Sequence, residues 1–319
     1  MFELRDGCRR LALAIVVAAC GAAAPPLSEA ATAPRGFQAV FDYDSSAALE
    51  PTAAFQSQTE IVRIQKVTFR GAGGQRVPAL LSLPKRRRGR IPCLLEGHGL
   101  TAGKEDGFGD NAERYGARGV AVFAIDARFH GERKAGIGPE RAAARLDTLY
   151  QLYRLTVIDM RRGLDYLAQR GICDPARTGY EGYSMGGFMG SMLIGADPRV
   201  KAGVFYVSGA DWRKIFANSG VYFDGPLSGR RLDQAVRRMA PLDPQYWIPR
   251  AKGRPVFMAN GRNDERTPFV AAQALHSAAR QPKQVLIYNG GHDIEEQYRA
   301  RGFGASYAFL ARYLRFGAR

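Results

Sequence analysis

Eight short runs of apolar or alternating residues divide the chain, and they predict its strands. "IVRIQKVTF", Ile61 to Phe69, alternates apolar and polar positions and stops at the turn "GAGG". "VPALLSLP", Val77 to Pro84, follows, so the two predict an antiparallel hairpin. "IPCLLEG" (Ile91–Gly97) and "GVAVFAID" (Gly119–Asp126) are continuous apolar runs, the pattern of strands buried on both faces. "RTGYEGY", "AGVFYVS", "RPVFMANG" and "KQVLIYNG" complete the set. From Leu149 to Leu167 the period changes: Leu149, Leu152, Tyr153, Val157, Met160, Leu164 and Leu167 recur at helical spacing. Helices are also predicted within Lys104–Gly119, from Met185 to Gly195 and from about Glu295 to Arg315.

A hairpin followed by alternating strands and helices implies an α/β fold. Its sheet is mostly parallel and eight-stranded, with helices on both faces. The 319 residues, 46% of them hydrophobic, suffice for a full core in one domain. Such sheets bind ligands beyond the carboxyl ends of their strands, so chemical residues should stand just after strands.

Three strand ends carry them. "RTGYEGYSMGG" puts Ser184 between Gly182 and Gly186 at a strand-to-helix turn. "RPVFMANG" leads to Asp264, and "KQVLIYNG" leads to His292. A serine hydroxyl is a weak nucleophile and needs a base. An imidazole titrating near neutrality suits that role, and a buried carboxylate holds the ring in the useful tautomer. Asp211, just after "AGVFYVS", is the alternative acid, and His276 the alternative base, although His276 sits in a helical stretch. A tetrahedral intermediate also needs oxyanion donors. The Met185 amide, next to the serine, is one candidate. The Leu100 amide, in the loop "HGLTAGKED" after "IPCLLEG", is the other, with His98 and Gly99 shaping that loop.

With these residues in the order Ser, Asp, His, the chain resembles the α/β-hydrolase superfamily, in its dienelactone hydrolase-like and prolyl oligopeptidase-like branch. "VPALLSLP", "LLEGHGLTAGKED", "DARFHGER", "DPARTGYEGYSMGGFMG", "APLDPQYWI", "GRNDERTP" and "GGHD" carry the resemblance over roughly residues 60 to 315. It implies a serine hydrolase acting on small-molecule esters without a metal or organic cofactor. It also implies a small cap over the site at about residues 209–248. Dienelactone hydrolases carry cysteine where Ser184 stands, which points to ordinary esters. Prolyl oligopeptidases carry a large N-terminal propeller for which there is no room here, which weakens a peptidase reading. An amidase or exopeptidase with the same triad remains the alternative, as does a catalytically silent binding protein of the same fold.

Other polar and aromatic residues have plainer readings. Glu96, at an apolar strand end, reads as a satisfied polar contact or a cleft residue. His130 reads as structural, and Asp126 with Arg128 as a buried ion pair. Trp212, Phe216, Tyr222, Phe223, Tyr246 and Trp247 either line a pocket or form the core of the cap.

The N-terminal thirty residues read as an export signal: Arg9 and Arg10, then "LALAIVVAACGAAA", then small residues ending at Ala30. "VAAC" also resembles a bacterial lipobox, which would end the signal at Ala19 and anchor the chain through a lipidated Cys20. Either reading, like the remaining alternative of an uncleaved anchor, places the folded part outside the cytoplasm, in the periplasm or beyond. Residues 31–58 read as a linker, and residues 59–319 as the hydrolase domain. Cys93 in a strand and Cys173 in a loop do not read as a disulfide framework, and no metal-ligand spacing appears. The net charge is +16, with its densest run at Lys85–Arg90. An exported chain has little occasion to meet nucleic acid, and this run precedes a strand whose other end carries the site, so a solvated turn is expected there.

Overall fold

A computed structural model describes residues 33–134, 136–294 and 296–317; the export-signal and Cys20 readings lie outside them. In chain order the elements begin with β1 (Thr52–Gln58), β2 (Val62–Arg70), β3 (Arg76–Pro84), β4 (Ile91–Gly97), α1 (Phe108–Gly116) and β5 (Ala121–Ile125). Then come α2 (Pro139–Ala143), α3 (Leu146–Gln169), β6 (Cys173–Tyr183), α4 (Met185–Ala196), β7 (Ala202–Tyr206) and α5 (Trp212–Asn218). α6 (Gly229–Met239), α7 (Pro244–Trp247), β8 (Val256–Gly261), α8 (Phe269–Ala278), β9 (Lys283–Tyr288) and α9 (Glu296–Leu314) complete the chain.

The strands form one sheet in the order β1-β2-β3-β5-β4-β6-β7-β8-β9. Every pair from β5 through β4 to β9 is parallel, while β1, β2 and β3 add antiparallel strands at one edge. The α/β class, the hairpin (β2, β3) and the mostly parallel sheet are as expected. The strand count is not: nine strands replace eight, because β1 pairs with β2 inside the segment read as a linker. β1 is exposed along its whole length, so it carries no apolar alternation and only its backbone pairing reveals it. The linker reading fails for a second reason. Phe37, Phe41 and Leu49 are buried, and Phe37 and Phe41 pack their rings 5.0 Å and 4.6 Å from Trp247.

Side-chain alternation divides the core between the two faces. From β5, Phe123 and Ile125 join the layer with α3 and α4, whereas Val122 and Ala124 join the layer with α1 and α9. The amphipathic run of α3 buries all seven residues predicted from its period.

A third correction concerns the cysteines: Cys93 and Cys173 form a disulfide across 80 residues of chain. It ties the start of β6 to β4, its parallel neighbour. Neither the adjacency nor the order of these strands is visible in cysteine spacing. A fourth correction concerns the expected Asp126–Arg128 pair. Asp126 instead takes Lys104 Nζ at 2.9 Å, and Arg128 pairs with Asp159 of α3 at 3.2 Å.

Candidate active site

Ser184 stands between β6 and α4 with φ 52° and ψ −118°, a strained position for a side-chain-bearing residue. Close packing enforces the bend. A β-carbon on Gly186 would lie 2.1 Å from the Gly97 carbonyl oxygen, and one on Gly182 would lie 2.6 Å from the Gly186 backbone. The turn can therefore press against the end of β4 only with glycine at both places. It leaves Met185 as the first residue of α4, where amides have no intrahelical acceptor.

The three predicted side chains meet although 108 residues separate Ser184 from His292. His292 Nε2 lies 2.8 Å from Ser184 Oγ. His292 Nδ1 lies 2.9 Å and 3.0 Å from the two carboxylate oxygens of Asp264. Asp264 is buried, and its Oδ1 also accepts from the amides of Arg266 (2.9 Å) and Thr267 (2.7 Å). These bonds orient the carboxylate before it meets the ring. Tyr183 donates its hydroxyl to the His292 carbonyl, and burial pushes that phenol up to about 12.

The alternatives fall elsewhere. Asp211 caps α5, accepting from the Arg213 amide and pairing with Lys214 at 3.0 Å. His276 Nε2 meets Asn260 Oδ1 at 2.9 Å, and burial pushes its imidazole down to about 4.

Ser184 opens into a cavity of about 720 Å³, which both Leu100 and Met185 line. One wall is apolar and aromatic, from Met185, Phe188, Val221 and Tyr222. The aromatic stretch divides between the two expected roles. Tyr222 faces the cavity, whereas Trp212 and Phe216 stack on each other at 5.2 Å in the core. None of Lys85–Arg90 lines the cavity, and all six are exposed.

An acidic part of the lining, Glu96 with Glu181, was not anticipated beyond Glu96. Glu96 and Glu181 are direct register partners on β4 and β6 and face the same side. Asn111 of α1 donates to Glu96 at 2.6 Å. Tyr115 and Tyr206 donate to Glu181 at 2.5 Å and 2.9 Å. Burial, joined by the neighbouring Glu181 carboxyl, pushes Glu96 well above the usual carboxylate range. Burial raises Glu181 as well, against its two phenol donors. The available signal was the shared parity of two glutamates at the ends of apolar strands, but it required knowing that β4 and β6 are neighbours.

The prolyl oligopeptidase family matches residues 111–317, which is well over half of the chain. The chain belongs to the prolyl oligopeptidase family. This member aligns with YtaP of Bacillus subtilis (strain 168), classed by name as a hydrolase, at 28% identity over 154 residues. That alignment covers 44% of this chain and spans only 50% of YtaP. Among solved structures it resembles an acetyl xylan esterase from Paenibacillus sp. R4, with TM-score 0.72 and 22% identity over 88% of this chain and 96% of that one. The acetyl xylan esterase 1 of Thermoanaerobacterium sp. JW/SL YS485 gives TM-score 0.71 and 21% identity, over 88% and 94% of the two chains. A puromycin-hydrolyzing peptidase of Mycobacterium tuberculosis gives TM-score 0.62 and 20% identity, over 85% of this chain and 40% of that one. At these identities the solved structures bear on fold, and the fold is that of the α/β-hydrolases.

Proposed function

We propose that this protein is an exported serine hydrolase that cleaves carboxylic esters through an acyl-enzyme. The observation that carries the reading is the unbroken chain from Ser184 Oγ through His292 to Asp264, with Ser184 and His292 lining the cavity. His292 Nε2 takes the proton from Ser184 as Oγ attacks the acyl carbon, and the Asp264 carboxylate stabilises the imidazolium that forms. The Met185 and Leu100 amides receive the oxyanion. His292 then gives its proton to the leaving alcohol. In the second half-reaction it activates a water that releases the acid.

The ester reading takes its substrate class from the two acetyl xylan esterases, which this chain resembles along nearly their whole length, whereas it spans 40% of the puromycin-hydrolyzing peptidase. The family name supports the second reading, an amidase or peptidase with the same triad. Export is supported by the Cys93–Cys173 disulfide, since such bonds persist in oxidising compartments.

The test is a fluorophosphonate probe on the wild-type chain and on Ser184→Ala, with the label located by mass spectrometry. Labelling confined to Ser184 is expected. A folded wild-type sample that takes no label would overturn the hydrolase reading in favour of a silent binding protein. Rates on short-acyl esters and on aminoacyl anilides then separate esterase from peptidase.

A further inference from the structure

We propose that His98 is a positioning residue for ester hydrolysis. Its imidazole sets the Gly99–Leu100 peptide plane and thereby aims the Leu100 amide at the oxyanion. The inference rests on the ester-hydrolase reading above and assigns a residue which that mechanism does not use.

The loop after β4 passes directly over the nucleophile. A β-carbon on Gly99 would lie 3.8 Å from the Tyr183 ring and 4.0 Å from the Ser184 β-carbon. The Gly99 carbonyl is held twice, by His98 Nδ1 at 2.8 Å and by the Ala102 amide at 3.3 Å. A trans peptide is planar, with its N–H opposite its C=O, so whatever holds the Gly99 oxygen also holds the Leu100 N–H. The Ala102 bond closes only a local turn at the long end of the hydrogen-bond range. The His98 bond is shorter and is anchored outside the loop.

That anchor also fixes the tautomer. His98 Nε2 lies 3.1 Å from the Ala127 amide, which can only donate, so Nε2 carries the lone pair and Nδ1 carries the proton. The ring thus links the exit of β5 to the peptide beside Ser184 in one orientation. Burial pushes the imidazole down to about 4, which keeps it neutral and keeps Nε2 free to accept. His130 backs the ring at 4.9 Å between centroids, and its Nε2 lies 2.6 Å from the next carbonyl, that of Leu100. Lys104, at the far end of the same loop, is tied to Asp126 through both its amide (3.1 Å) and its ammonium (2.9 Å). The loop is therefore pinned at both ends, and His98 is the pin nearest the reacting atoms.

The experiment compares His98→Ala, His98→Asn and His98→Gln on a short-acyl p-nitrophenyl ester and in the rate of fluorophosphonate labelling, with a thermal melt of each. The Asn amide nitrogen can stand where Nδ1 stands and keep the bond to Gly99. The Gln amide instead reaches the Nε2 position and keeps the tie to Ala127. For Ala, kcat should fall roughly 100-fold with KM changed less than about threefold, the signature of a misplaced oxyanion donor. Asn should recover most of kcat, and Gln should not, whereas Gln should recover more of the melting temperature. A merely structural residue would make kcat follow the melting temperature, and that outcome overturns the proposal. So does wild-type kcat in the Ala variant, or a KM increase with kcat kept. If the wild type takes label and His98→Ala takes it at the same rate, the proposal fails while the hydrolase reading stands. If the Ala variant does not fold, the imidazole nitrogen shifts of the wild type decide. A proton on Nδ1 supports the assignment, and a proton on Nε2 overturns it.

Discussion

β4 and β6 run side by side, and their two ends are built differently. At the amino ends a covalent bond, Cys93–Cys173, joins neighbours beside the exposed basic run Lys85–Arg90. At the carboxyl ends no covalent bond holds Ser184 in its strained conformation. There, Gly97 packed against Gly186, the Ser184 amide donating to the Tyr206 carbonyl at 2.9 Å and the Tyr180 hydroxyl donating to the Gly186 carbonyl at 2.7 Å do that work. The contrast shows how one pair of strands can be anchored at one end and hold strain at the other. Strain persists only where the surroundings over-determine it, and a tie at the far end limits how the two strands can shift to relieve it.

The largest effect should come from the strained end. Ser184→Ala should lower kcat by roughly 10⁶-fold, the scale for losing a serine nucleophile, and should leave the thermal midpoint within a few degrees of wild type. Appreciable residual esterase activity in a pure sample would remove Ser184 from its role. Next comes the acid. Asp264→Asn should cost roughly 10⁴-fold in kcat, while Asp211→Asn should stay close to wild type, because Asp211 caps α5 and pairs with Lys214 whereas Asp264 holds His292. The reverse ranking, read from the same steady-state rates, would reassign the acid.

The anchored end should answer in stability rather than rate. Replacing Cys93 and Cys173 by serine frees a loop of 80 residues, for which the chain-entropy account predicts a loss of about 4.5 kcal/mol, measurable by denaturant titration. kcat at a temperature where the variant stays folded should remain within about twofold, and a collapse of kcat there would join the two ends functionally. The smallest effect concerns Glu96. Its folded carboxyl lies above its unfolded value, so its contribution to stability is fully present below about pH 4.3 and is lost as pH rises. Glu96→Gln should therefore melt like wild type at pH 4 and at a higher temperature than wild type at pH 8. An equal difference at both pH values would mean that the carboxyl ionises as readily in the fold as out of it.

Much of this was legible in the chain because local periodicity reports local burial. The β2–β3 hairpin, the apolar parallel strands, the helical run from Leu149 to Leu167 and the turn at Ser184 are written in consecutive residues. So was the order Ser184, Asp264, His292, since each follows a strand, and strands in such sheets end on one side. β1 was hidden because an exposed edge strand has no apolar face to announce it. The disulfide, the facing pair Glu96 and Glu181, and the Arg128–Asp159 bridge were hidden because each joins elements far apart in sequence.

By itself, then, the sequence determined eight of the nine strands, the main helices and which residue types stand at the strand ends, because side-chain pattern and turn chemistry act over a few residues. Only the tertiary structure decided which strand lies beside which. With that it decided that Asp264 rather than Asp211 meets His292, that Cys93 finds Cys173, and that the His98 imidazole reaches Ala127. Those outcomes depend on the crossover order of the sheet, and no local pattern in the chain records that order.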